Sequence, residues 1–450
     1  MNVPIPLPVL AVAVAGALLA ACGTRSELTA DFVGGGVTTS SSTSTTSSTG
    51  GGAATDCVAL TVTAPADIDT GGGTSARPAL VFGTNNGRVV SVFHAWSDGQ
   101  SLASELRVAT VEPWESWPPV AGDRFAVDPQ GGSSFAVGDL LLGNVALLLM
   151  GDHGLNFANA VSATSPQTLE LLSLTADSED PGDPAAVTMV RGYDAPPVAP
   201  NIGYFAMLLA WDRIDPTSGA HALKLGIGDG SWVLFGTAQH LEDPDLACAS
   251  ARIAAAAVRA RSSWLVLTAT GGDLLRCSDV ASPSPPASLA VDLVAWGPPD
   301  SVDWTLQRVD YLTGTDPIKR VRMIPSGDGG LALVQRTERV DLVRLDAQGQ
   351  MSMAGTVAPV AGDGAIVFSE IAPLSNATLV AHVDGAAPSR VHLELRDPAA
   401  SVVVGSLVDA SGPISSLSVL TDKAGNAAVL GWATSDGQVQ VARVACAEGT

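Results

Sequence analysis

The chain has 450 residues, 46% of them hydrophobic, and a formal charge of −22 from 45 acidic against 23 basic residues. A surface of that sign repels phosphate backbones and anionic headgroups, and no basic patch reverses it locally, so nucleic acid is excluded as a partner. No CxxC, HExxH, GxSxG or P-loop spacing occurs, which removes the metal, hydrolase and nucleotide chemistries those motifs carry.

From the N-terminus, Val3 to Ala21 is uncharged and almost wholly apolar. Pro4, Pro6 and Pro8 break helical geometry, leaving Val9 to Ala21 as good helix. That is the length of a signal-peptide core and falls short of the about 20 apolar residues a membrane span needs. Leu19-Ala20-Ala21-Cys22 follows: a branched apolar residue, two small ones and a thiol. This run resembles the lipobox of bacterial lipoproteins. The resemblance implies a signal peptide over 1–21, cleavage before Cys22, and lipid on the Cys22 thiol and its new amine. Two or more acyl chains anchor stably. Gly23, in place of the Asp that marks inner-membrane retention in enteric bacteria, implies the outer membrane. The family's basic leader residues are missing, Arg25 being the first, so either translation starts upstream of Met1 or export relies on the apolar core alone.

Residues 22–56 read as a tether. Gly34-Gly35-Gly36, an unbroken Ser/Thr run from Thr38 to Thr49 and Gly50-Gly51-Gly52 have nothing to bury against their ordering entropy. The 34 residues between Cys22 and Cys57 give a flexible-coil span of about 30 Å.

Residues 57–450 form the folded part. Its four cysteines, Cys57, Cys248, Cys277 and Cys446, are an even number in an exported chain and so read as disulfides, with three possible pairings. Cys57 opens the first strand-like run and Cys446 closes the last, while Cys248 and Cys277 bracket one segment; Cys57–Cys446 and Cys248–Cys277 are the favoured pairs.

Period-2 alternation dominates, as in Cys57–Thr63, Val391–Arg396 and Val439–Val444, with Gly, Asp, Pro and Ser clusters between the runs. Ala247 to Ala260 is the one stretch balanced between helix and strand. A turn with small residues recurs: Asp128–Gly132, Ser326–Gly330, Leu374–Thr378 and Asp422–Asn426, each just before a strand run. The spacing points to a unit of about 49 residues, the size of a four-stranded propeller blade. Starts near 78, 131, 203, 263, 329, 376 and 425 predict an all-β chain folded as a single β-propeller of about seven blades, six or eight being the neighbouring counts. Strand 57–63 beside strand 439–445 would close the last blade. The competing architecture is two β-sandwich domains, in which Cys57 and Cys446 would lie far apart.

Candidate chemistry is sparse. The six histidines, His94, His153, His221, His240, His382 and His392, are scattered; His94, His382 and His392 sit in strand runs, where a hydrogen-bonded sheet histidine is the simple expectation. Asp152-His153 reads as turn chemistry. Asp177, Glu179, Asp180 and Asp183 gather hard oxygens that would suit Ca²⁺, but lack the spacing of a defined loop and read first as an acidic surface turn. Trp114 and Trp117 share the loop EPWESWPP, where exposed rings stack on sugars or anchor protein partners. Trp211, Trp264 and Trp432 lie in strand runs and are expected in the core.

The sequence therefore predicts a monomeric, membrane-anchored envelope lipoprotein whose propeller is a non-catalytic binding or scaffolding module for a protein or glycan, with no cofactor. The competing function is a propeller enzyme of the envelope, a glycan hydrolase or lyase or a quinone-dependent dehydrogenase. That would require acids, histidines or arginines recurring at equivalent blade positions, and the sequence shows no such recurrence.

Overall fold

The computed structural model describes the strands between residues 57 and 312 and nearly all of residues 314–448, with side chains mainly at 57–68 and from 263 onward. The described residues form 29 strands in seven antiparallel sheets, six of four strands and one of five. In chain order we number them I (75–128), II (132–177), III (188–242), IV (254–312), V (318–357), VI (366–409) and VII (414–448, with 57–62 and 66–68).

Within a sheet, consecutive strands pair with their sequence neighbours, so each sheet is a meander. The first strand of each sheet lies against the first strand of the next: Ser75–Gly83 on Gly132–Asp139, then Thr188–Ala195, Ala254–Ala260, Ile318–Ser326, Ile366–Leu374 and Ile414–Thr421. Ile414–Thr421 in turn touches Ser75–Gly83.

Burial explains why the central strands are apolar throughout rather than alternating. In sheet VI, Leu379, Ala381 and Val383 pack with Leu430 and Trp432 of sheet VII. Val380, on the opposite face, packs with Leu331, Leu333 and Leu342 of sheet V. A third cluster joins Leu265, Leu267 and Val291 of sheet IV to Ala332, Val334 and Val343 of sheet V. Each core lies between two consecutive sheets, so second strands such as Gly329–Arg336 and Ala427–Thr434 are buried at all their positions. Burying one Val or Leu in such a layer contributes about 1.5–3 kcal/mol. The fourth strands, Met351–Val357 and Val402–Asp409, are largely exposed. Trp264 and Trp432 are fully buried, as their strand positions suggested.

The recurring turn has a different phase from the one the spacing suggested. Second strands open at Tyr204, Ser263, Gly329, Ala377 and Ala427, so five of the seven expected starts fall on the second strand of a sheet. The starts near 78 and 131 fall instead on the first strands of sheets I and II. The motif is thus mostly the hairpin turn between first and second strands. At Leu374–Thr378 the turn is two residues, Ser375 (φ 48°) and Asn376 (φ 61°), the left-handed pair of a type I′ hairpin. Ala254–Ala260 is a strand, and residues 247–253 lie outside the described residues.

The two ends of the described chain meet. Cys57–Val62 pairs antiparallel with Val439–Glu448, in register Leu60↔Cys446 and Val62↔Val444, and Ala66–Ile68 continues along the same strand. The last strand runs three residues beyond the expected 439–445. Cys57 and Cys446 are joined by a disulfide, Cα to Cα 5.3 Å, across 389 residues of sequence. Cys248 and Cys277 lie outside the described residues.

Because that bridge closes nearly the whole folded chain, Cys57→Ser/Cys446→Ser is expected to lose about 2–5 kcal/mol of unfolding free energy. Urea titration of oxidised wild-type and double-mutant protein checks it, an unchanged unfolding free energy in the mutant being the contrary result.

Candidate functional site

The sequence-level site residues divide by where they fall. Cys22, Trp114, Trp117, His153, Glu179, Asp180 and Asp183 lie outside the described residues. Asp177 is the last residue of strand Leu169–Asp177, and His94, His221 and His240 are strand residues of sheets I and III. His382 and His392 are described in full, and they form the centre of a buried polar cluster.

His382 is the sixth residue of strand Ala377–Asp384, and His392 is its direct partner on strand Arg390–Arg396. Their position across the ladder stacks the rings, with centroids 5.1 Å apart and planes inclined by 15°. Alternation puts Asp384, Glu394 and Arg396 on the same face, the one turned to sheet V. His382 Nδ1–H donates to Asp384 Oδ1 at 3.1 Å, which places its proton on Nδ1 because a carboxylate can only accept. Asp384 Oδ2 accepts from the Val360 N–H at 2.8 Å and lies 3.6 Å from His392 Nε2. Glu394 Oε1 is 3.7 Å from His382 Nε2, too long for a hydrogen bond and an ion pair only when the ring is protonated. Arg396 donates to Glu394 Oε2 from Nε (2.9 Å) and Nη2 (2.5 Å), and from Nη1 to the carbonyls of Thr356 (3.0 Å) and Ala400 (2.9 Å). The cluster therefore ties sheet VI to the last strand of sheet V.

Electrostatics follow from that burial. The His392 pKa is held below its ordinary value, first by burial and then by the neighbouring His382 ring, against the opposing pull of Asp384. Burial works to raise the Glu394 pKa, but His382 and the Arg396 guanidinium outweigh it and the net shift is downward. The side chains of His382 and Asp384 are 0% exposed and that of His392 6%. A carboxylate–imidazole pair sealed this way has no approach for a substrate and acts as structure.

The same ladder position is polar in the two flanking sheets. Opposite one another stand Val334 and Asp341 in sheet V, His382 and His392 in sheet VI, and Trp432 and Gln440 in sheet VII. Asp341 binds Arg336 Nε at 2.7 Å and Arg339 at 3.0 Å. Trp432 Nε1–H donates to Gln440 Oε1 at 3.0 Å, and Gln440 Nε2 donates to Asp67 at 2.7 Å. Each is near the hairpin that joins second to third strand. Sequence reading missed this level because the residue types differ; the signal was their shared position, sixth in an eight-residue second strand or directly across from it. Between the first strands of sheets V and VI, Arg320 and Arg322 converge on Glu370.

Among the described residues no group of three or more His, Cys, Asp or Glu is arranged to hold a metal ion. The large apolar side chains left exposed sit mostly on outer strands, including Val58, Met353, Val402, Val403 and Leu407.

Two arginine substitutions separate buried from exposed pairs. Arg396→Met strands a largely buried Glu394 carboxylate and is expected to cost about 3–5 kcal/mol. Arg390→Met removes the exposed pair with Asp409 and is expected to cost under about 1 kcal/mol. Equal, small losses on urea unfolding would contradict the structural role given to Arg396.

No protein-family model and no curated protein matches the chain. Solved structures that resemble it include a protein of unknown function from Dyadobacter fermentans (10% identity, TM-score 0.45, 86% of this chain and 99% of that one). A second is the Cps50 (Swd1) β-propeller domain of Myceliophteria thermophila (10% identity, TM-score 0.46, 86% of this chain and 100% of that one). A third is AofleA from Arthrobotrys oligospora (9% identity, TM-score 0.43, 70% of this chain and 86% of that one).

Proposed function

We propose that this chain is an exported lipoprotein, anchored through Cys22 to the outer membrane of the cell envelope, whose residues 57–450 form one seven-bladed β-propeller. The propeller acts as a non-catalytic binding or scaffolding module for a protein or glycan. The observation that carries the architecture is the order of neighbours: seven meander sheets, each first strand against the next, and the last against the first. The N-terminal strand completing sheet VII, with Cys57 bonded to Cys446, fits the same reading and disfavours two sandwiches. Radius of gyration tests it directly. A single compact body of this length is expected near about 21 Å, and a clearly larger value in solution scattering of residues 57–450 would favour two bodies.

Binding rather than catalysis is favoured because the buried acids and histidines described in sheets V and VI are engaged in ion pairs and hydrogen bonds with neighbouring side chains. Partner contacts then fall to loops such as the one carrying Trp114 and Trp117 and to the apolar outer strands. The anchor is tested by metabolic labelling with a clickable fatty acid. Wild-type chain is expected to carry label and Cys22→Ala to carry none; label retained in the mutant would remove the lipoprotein reading.

A further inference from the structure

The stacked histidines lie in a closed space with too little negative charge for both to be cationic. Asp384 touches both rings, at 3.1 Å and 3.6 Å. The other charges around the pair are already engaged. On the third strand, Arg396 holds Glu394 and Arg390 holds Asp409 of the fourth strand. On the first strand, Glu370 is taken by Arg320 and Arg322 of sheet V. Sheet V also directs Arg344 toward this side, where it donates to the Pro398 carbonyl. His382 Nε2 and His392 Nε2 are buried and make no hydrogen bond; the carboxylate oxygens nearest them, Glu394 Oε1 at 3.7 Å and Asp384 Oδ2 at 3.6 Å, belong to groups whose charge Arg396 and the first imidazolium already balance.

We propose that the His382–His392 stack is an acid-sensitive latch between sheets V and VI, closed while at least one ring is neutral and loosened when both take a proton. The first proton is balanced by Asp384, which lies against both rings. The second places two cations in a stack 5.1 Å apart, cut off from water, where their repulsion is weakly screened. Opening toward solvent relieves it. The lowered His392 pKa agrees with this: the closed form resists a proton that the open form accepts. The sign follows by linkage. A base whose pKa is depressed in the closed form contributes full stability above its open-form pKa, about 6.5 for histidine, and loses it as pH falls below that toward the closed-form value. Sheet VI carries Val402, Val403 and Leu407 on its outer strand, so loosening it alters an apolar face of the domain. The latch does not depend on what the domain binds.

Amide hydrogen exchange of the full chain between pH 7.5 and 5.0, corrected for intrinsic rates, tests it. Protection in Ala377–Asp384 and Arg390–Arg396 is expected to fall below about pH 6.5, approaching tenfold per pH unit where opening takes up one proton. His392→Phe keeps the stack without the charge and is expected to flatten that dependence while leaving protection at pH 7.5 in place. His392→Gln serves as the second variant should the phenyl ring fail to pack. Flat protection in wild type, or an unchanged pH slope in the variant that folds, overturns the latch.

Discussion

One constraint governs sheets IV–VII: their described central strands are buried on both faces, so none of these sheets can stand without a neighbour on each side. Val380 and Leu379 are adjacent in sequence, yet one packs on sheet V and the other on sheet VII. A sheet so built cannot end a stack without exposing an apolar face. The described strands meet this with sheets that follow one another through their first strands, the seventh touching the first. Sheet VII, whose own run supplies three strands, takes a fourth and a short fifth from the other end of the chain. The strand pairing at Cys57–Val62 and the core layers are therefore two aspects of one requirement.

Polar residues inside those layers are tolerable only where each finds a partner, because an unpaired buried charge costs several times what a good pair contributes. The three filled positions at the second-to-third strand end solve this with different chemistry: arginine on aspartate, stacked imidazoles on a carboxylate, and indole on a carboxamide. What repeats is the geometry. Two neighbouring strands bring two side chains close at the same height, and the adjacent sheet covers them. An apolar pair there would pack as well, so stability alone does not demand polarity; direction-dependent bonds at that height also hold side chains within each sheet in one arrangement.

How much of this was legible follows from the same physics. The all-β class and the presence of units were visible because turn residues and period-2 runs are local. Strands 57–62 and 439–448 were placed together because Cys57 and Cys446 marked them, a long-range signal that survives in one dimension. The phase of the unit was not legible. Ser326–Gly330 and Leu374–Thr378 open second strands, whereas Asp128–Gly132 opens a first strand. Gly, Asp and Asn satisfy left-handed backbone wherever a tight turn falls, so the turn says that the chain reverses and not which pair of strands it joins. The histidine cluster was invisible for a different reason. His382 and His392 were each read alone as sheet histidines, which is right for His382 and its Asp384 bond, but their meeting depends on hairpin register.

The place where the chain enters the fold has a mechanical consequence for an anchored protein. If Cys22 holds lipid, any pull on the domain arrives through the tether at Cys57, the first described residue. Antiparallel strands pulled from one end unzip bond by bond. Here the load meets the Cys57–Cys446 bridge before it reaches the ladder from Leu60 to Val62. Force then passes into Val439–Glu448, which is bonded on both sides, to Ala427–Thr434 and to the N-terminal strands. A covalent bond at that point hands load applied at Cys57 to a strand paired on both sides, rather than to the Cys57–Val62 ladder alone.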